Sequence, residues 1–327
     1  MNRRFQAGIL AASLLLLAAC TSSNAVNKPP AGNAAGGGAG KYGFKIAVVT
    51  HGSSGDAFWS IVKNGAEQAG RDMGDTVNYQ SDGDPQKQAQ LIDAAVNEKV
   101  DGLVVSMANP DALKASIQRA VSAGIPVITV NSGGSRSKEF GALSHFGSDE
   151  SVAGTAIGNQ LKASGVKNVI CVIHEAGNVA LEQRCAAVQA ALGGTTTNLQ
   201  VDNNNLPAAQ ATIKSKLQQD KSIDGVVTLG GQVAVIAEQA IADAGSSAKL
   251  ATFDLNADVA KAIENGKILF AVDQQPYLQG YLPVVMLSLY HTNANILGGG
   301  LPVLTGPTLV TKDNAAKIEK LAAAGTR

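Results

Sequence analysis

Residues able to do chemistry recur at one kind of place in this sequence, the carboxyl end of a short apolar run. Thr50 and His51, Ser81 and Asp82, Ser106, Asn131 and Ser132, His174 and Glu175, Asp202 and Asn203, Asp254, and Asp273 and Gln274 all stand there. Any one of them is polar simply because the chain leaves its apolar run at that point; taken together they mark one edge where a ligand could be held. They do not assemble a reaction. The histidines, His51, His145, His174 and His291, are scattered and lack HExxH spacing. There is no GxSxG elbow, and no two acids are paired for acid and base roles. The expected inventory is therefore no catalytic residue, no metal and no cofactor.

The stretch GSSGDAFWSIVKNG, residues 52–65, holds the only tryptophan of the chain. Glycines after an apolar run could cradle a phosphate, but the third glycine of a dinucleotide fingerprint is missing. Two adjacent aromatics, Phe58 and Trp59, also stand where bare backbone would be needed. An aromatic face beside a carboxylate, here Asp56, suits a sugar instead, because its C–H faces stack on a ring while its hydroxyls donate to the acid. Either aromatic taken alone is equally well explained as core.

The elements that must position these residues are legible as a repeat. From Lys45 onward a β-branched apolar run, a polar turn and an amphipathic stretch of about a dozen residues recur. The runs are KIAVVT, TVNYQS, GLVVSM, PVITVN, NVICVIHE, NLQVD, GVVTLG, KLATFD and ILFAVD. Continuous apolar strands alternating with helices predict an α/β fold of parallel sheets covered on both faces. Nine strands exceed one comfortable sheet, and the loop NSGGSRSKEFGALSHFGSDE after the fourth divides them into two lobes.

Charge is balanced, 26 basic against 26 acidic side chains, so no nucleic acid or other polyanionic partner is suggested. The start of the chain reads as a secretory signal over residues 1–19: Arg3 and Arg4, then an apolar run from Ile9, then Leu17-Ala18-Ala19-Cys20. Those last four residues resemble a bacterial lipobox, which implies lipidation at Cys20 and an extracytoplasmic body anchored to the cell membrane by lipid alone. Residues 20–42, rich in glycine, alanine and asparagine, read as a flexible tether. The remaining cysteines, Cys171 in a strand and Cys185 in the helix after it, favour a structural disulfide over two free thiols.

The lipobox, the DAFW turn after the first strand, GIPVIT followed by a polar pair, SHFGSDE, the ATFD strand end and DQQPYLQGY together resemble the type I periplasmic sugar-binding proteins of ABC importers, the ribose-binding-like group. The likeness covers residues 43–312. It implies two Rossmann-like lobes joined by a three-crossover hinge, 43–147 plus 276–302 and 148–275 plus 303–327, closing on a ligand delivered to a permease and its ATPase by a monomeric binding protein. Carried over by position, Asp56, Phe58 and Trp59 match the residues that sandwich the sugar, Ser106 a hydroxyl-binding strand end, and Asp254 and Gln274 an acid and an amide that bind hydroxyls. The sequence departs from the pattern where an Asp-Arg pair becomes Asn131-Ser132, an arginine becomes Glu182 and an asparagine becomes Gly230. Fewer cations and an added carboxylate imply a small neutral polyol, a monosaccharide or a linear sugar alcohol such as a pentitol or tetritol. A sugar sensor feeding a receptor and an extracytoplasmic sugar-modifying enzyme are the competing readings.

Overall fold

The computed structural model describes residues 42–53 and 55–327. The signal segment, the lipidation at Cys20 and all of the tether before Tyr42 lie outside the described residues. In the first stretch the elements are β1 (Lys45–Thr50), α1 (Ala57–Met73), β2 (Thr76–Ser81), α2 (Pro85–Asn97), β3 (Gly102–Ser106), α3 (Pro110–Ser122), β4 (Val127–Val130), α4 (Gly134–Ser137) and β5 (Ser144–Ser148). The second stretch runs α5 (Glu150–Ala163), β6 (Asn168–Ile173), α6 (Val179–Leu192), β7 (Thr195–Gln200), α7 (Leu206–Gln219), β8 (Gly225–Thr228), α8 (Gly231–Asp243), β9 (Lys249–Phe253), α9 (Ala257–Glu264) and β10 (Ala271–Asp273). The chain then continues through α10 (Pro276–Asn293), β11 (Val303–Gly306), β12 (Thr308–Val310) and α11 (Ala315–Ala323).

Two six-stranded sheets result, ordered β2-β1-β3-β4-β5-β11 and β7-β6-β8-β9-β10-β12. Every pairing is parallel except β10 with β12. The central runs β3, β4 and β8 are buried along their whole length, because helices cover both faces, whereas the outermost β2 and β7 keep partly exposed side chains. The two lobes are wound alike, and three short connections join them: Ser148–Glu150, Gln274–Pro276 and Gly306–Thr308.

Two readings of the sequence need correction here. SHFGS is not loop but β5, buried on both sides between β4 and β11, and its polar letters concealed a strand whose environment is wholly interior. Val303–Gly306, assigned above to the second lobe, pairs instead with Phe146, Gly147 and Ser148 of the first, so the third crossover falls between β11 and β12. Among the described residues no helix is long and apolar enough to cross a membrane.

Cys171 of β6 and Cys185 of α6 form a disulfide with Cα atoms 5.9 Å apart, inside the apolar core of the second lobe. It closes a loop with a sequence separation of 14. Loop-closure entropy then assigns it roughly 2–3 kcal/mol. The double variant Cys171→Ala/Cys185→Ala should lose about that much stability in urea unfolding while still binding ligand; an unchanged midpoint would show the bond to be energetically idle.

Candidate functional site

The carboxyl edges of the two sheets face each other and line one cavity. From the first lobe come His51 after β1, Asp56, Phe58 and Trp59 at the start of α1, and Asn131 and Ser132 after β4. The second lobe adds His174 and Glu175 after β6, Asn178, Leu181 and Arg184 of the α6 turn and helix, Asn203 after β7, Gly230 after β8, Asp254 and Asn256 after β9, and Gln274 after β10. Helix capping explains several of these polar residues. Asp56 Oδ1 accepts from the Phe58 and Trp59 amides (2.8 and 3.4 Å), Asn178 Oδ1 from Ala180 (3.1 Å) and Asn256 Oδ1 from Val259 (2.8 Å). Asn131 and Asp254 occupy equivalent places after β4 and β9, and both hold left-handed backbone, φ 61° and 66°. For residues other than glycine that is uncommon and is maintained by the surroundings.

The aromatic wall is part cavity and part core. Trp59 is only 6% exposed and packs edge-on against His51 (centroids 4.6 Å) and Phe58 (5.1 Å). A Cβ at Gly52 would lie 2.6 Å from its Cδ1, so the glycine of the turn is what lets the indole lie against it. Phe58 is the half-buried member of the pair.

Two sequence-predicted residues stand elsewhere. Ser106 is fully buried behind the wall, where its hydroxyl meets the His51 amide (2.9 Å) and Nδ1 (2.7 Å); it positions His51 and does not line the cavity. Glu182 is exposed on the outer side of α6. Arg184, two residues on and about 200° around the helix, is the one that points inward, so one of the arginines counted as missing is present. It is 2% exposed, lies 4.5 Å over the Phe253 ring, forks to both oxygens of Glu150 (Nη2 to Oε1 3.1 Å) and donates to Gln274 Oε1 (2.7 Å). The remaining members of the prediction line the cavity, but Gln274 is already engaged at both ends, since its amide nitrogen also donates to Asp254 Oδ1 (2.5 Å). Asn131 and Ser132 are likewise engaged: Asn131 Nδ2 donates to Gln279 (3.1 Å) and the Ser132 hydroxyl to Asn131 Oδ1 (2.9 Å). Gly230 has a partner of its own. A Cβ there would come within 2.9 Å of His174 Cε1, so the imidazole fills the room an asparagine side chain would need.

The lobes also touch directly. Val179 N–H donates to Ala108 O (3.1 Å), Gln232 Nε2 to Gly55 O (2.9 Å) and Asn203 Nδ2 to Asp56 Oδ2 (3.3 Å), while His51 Nε2 stands 3.7 Å from Glu175 Oε2. His174 Nδ1 and Asn203 Oδ1 are buried without a partner.

Burial, reinforced by Glu175, pushes the Asp56 carboxyl up to about 6. Burial, reinforced by Asp56 and Asp273, pushes Asp254 up to about 7 against the pull of Arg184 and Gln274. The folded chain therefore keeps the Asp254 proton where the unfolded chain has lost it, and this group destabilises the fold increasingly as pH rises from about 4 to about 7. The buried His51, His145 and His174, all held below their ordinary value by desolvation, work in the opposite sense as pH falls through 6.5. Their contribution is common to both proteins when wild type is compared with Asp254→Asn. That variant should gain melting temperature relative to wild type as pH is raised from 5 to 8; a difference that is constant across this range would contradict the assignment.

The family described as periplasmic binding protein domain matches residues 46–293. A carbohydrate transporter from Acidothermus cellulolyticus 11B, solved in complex with myo-inositol, is 48% identical with a TM-score of 0.86, covering 87% of this chain and 100% of that one. The xylose/arabinose-binding protein of Sulfolobus acidocaldarius is 26% identical over 241 residues, 68% of this chain, which spans only 60% of that protein's length. The ribose import binding protein of Haemophilus influenzae is 26% identical over 239 residues, 70% of this chain and 79% of its own. These proteins are named for binding and transport, not for a reaction. With two like-wound lobes closing polar sheet edges on one cavity, and a family match over most of its length, the chain belongs to the periplasmic binding proteins, as a type I sugar-binding member.

Proposed function

We propose that this protein captures a small neutral polyol between its lobes, that the polyol is cyclic and of the inositol kind, and that it is handed to an ABC permease and its ATPase. In this reading the protein is a monomer held outside the cytoplasmic membrane by lipid on Cys20. The observation that carries it is the wall itself: the rings of Phe58 and Trp59 stand at the edge of a cavity whose free groups are chiefly acceptors, Asp56, Asp254, Glu175 and Asn203. A flat molecule bearing hydroxyls all round satisfies such a wall, its C–H face on the rings and its O–H groups on the acids. Arg184, oriented by its fork onto Glu150, adds one fixed donor in Nη1, which supports a ring held at fixed orientation over a flexible linear alcohol. The myo-inositol held by the 48% identical transporter supports the same class.

In a thermal-shift panel on the purified protein, myo-inositol should raise the melting temperature more than pentitols, tetritols or pentoses, and a sugar acid should raise it least. A ligand at 100 times its dissociation constant adds about 2.7 kcal/mol to stability. A larger shift with a sugar acid, or none with any neutral polyol, would remove the reading.

A further inference from the structure

Formal charge in the cavity is lopsided. Three lining carboxylates, Asp56, Glu175 and Asp254, accompany a single guanidinium, Arg184, whose Nε and Nη2 are engaged by Glu150, behind the lining, and by Gln274. Among the described residues no lysine or arginine lies within 4 Å of Asp56, Glu175 or Asp254, although Arg184 acts on Glu175 and Asp254 from farther away; His51, 3.7 Å from Glu175, is kept neutral by burial. Their hydrogen-bond partners are uncharged: the Phe58 and Trp59 amides and Asn203 for Asp56, Asn178 for Glu175 (2.6 Å), and Gln274 for Asp254. Two further groups await partners. His174, 8% exposed, presents an unpartnered buried Nδ1, a donor or an acceptor according to its tautomer, and Asn203 an unpartnered Oδ1, which accepts; both residues line the cavity. A neutral polyol can supply hydroxyl donors to such a site, but it brings no positive charge, and buried carboxylates without a cation are costly.

Building on the reading of the site as one for cyclic polyols, we propose that its preferred ligands carry an ammonium: amino-substituted cyclic polyols, the aminocyclitols, bind more tightly than the parent polyol. An ammonium replaces one hydroxyl with three donors and no acceptor, and its charge offsets one of the carboxylates that lack a directly paired cation. Asp56 and Asp254 come from opposite lobes, so a cation between them also favours the closed form.

The test is a matched pair: scyllo-inositol, whose ring positions are all equivalent, and 1-amino-1-deoxy-scyllo-inositol, with myo-inositol as reference, measured by calorimetry on the full chain. At pH 7.5 the amine should bind at least tenfold more tightly than scyllo-inositol. At pH 5 the amine stays charged while Asp56 and Asp254 take up protons, and the advantage should shrink towards one. Asp56→Asn and Asp254→Asn should each reduce the affinity ratio at pH 7.5 by fivefold or more; because the readout is a ratio, a general loss of affinity does not mimic it. Should a variant not fold, the pH series on wild type decides. Equal or weaker binding of the amine at pH 7.5, with either inositol bound, overturns this inference and leaves the neutral-polyol reading standing. Failure of all three compounds to bind overturns both.

Discussion

Replacing Arg184 with methionine should remove about 3–5 kcal/mol of stability and abolish measurable ligand binding. The guanidinium is held by both oxygens of Glu150, by Gln274 and by the Phe253 face, and both charged partners are more than nine-tenths buried. Removing only the cation leaves the Glu150 carboxylate stranded inside the protein. Glu150 ends the first crossover and Gln274 begins the second, so the same fork also fixes the hinge. The double variant Arg184→Met/Glu150→Met discriminates between these effects. It removes the stranded charge and should recover most of the stability, while binding stays lost. Urea unfolding and calorimetry on the three proteins read both quantities. A single variant within about 1 kcal/mol of wild type, or a double variant no better than the single, would show that the pair is not buried as described.

The second large effect is expected at Gly280, where α10 crosses α1. A Cβ there would fall on the Val62 carbonyl oxygen, and one at Gly65 would fall on the Tyr277 carbonyl, so the two backbones are in direct contact at both glycines. A methyl at Gly280 has no flexible neighbour to displace; α1 and α10 must separate. Overpacking of this kind costs about 3 kcal/mol, at the upper end of the usual range. The binding consequence follows from what the helices carry. α1 begins with Phe58 and Trp59, and α10 begins at the second crossover. Gly280→Ala should therefore weaken ligand binding tenfold or more in calorimetry as well as lowering the unfolding midpoint. A loss below about 1 kcal/mol would mean that the helices pack less closely than the geometry requires.

How much of this was legible in the sequence differs residue by residue. The long β-branched runs disclosed the parallel sheets, since only strands covered on both faces tolerate that composition. β5 escaped because SHFGS reads as polar, and nothing local states that β4 and β11 will flank it. The boundary at Gly306 escaped because β11 and β12 differ by which sheet they join, not by composition. Asp56, Phe58 and Trp59, which line the cavity, were singled out by their types and spacing. Arg184 was missed in favour of Glu182, although the signal existed: Leu181, Cys185 and Val188 mark the inner face of α6, and Arg184 lies on it. The imidazole beside Gly230 had no such signal, because it pairs positions far apart in the chain.

The bonds from Val179 to Ala108 and from Gln232 to Gly55 join the lobes through groups that belong to the protein alone. Whatever they contribute to closure is contributed with or without cargo. While closed molecules are the minority, every 1.4 kcal/mol supplied this way tightens apparent affinity tenfold and multiplies the unladen closed molecules by the same factor. A partner that recognises the closed shape would count those as false arrivals. For such a partner these bonds, with the other contacts between the lobes, would set a noise floor, the lowest outside concentration of solute that could be told apart from none.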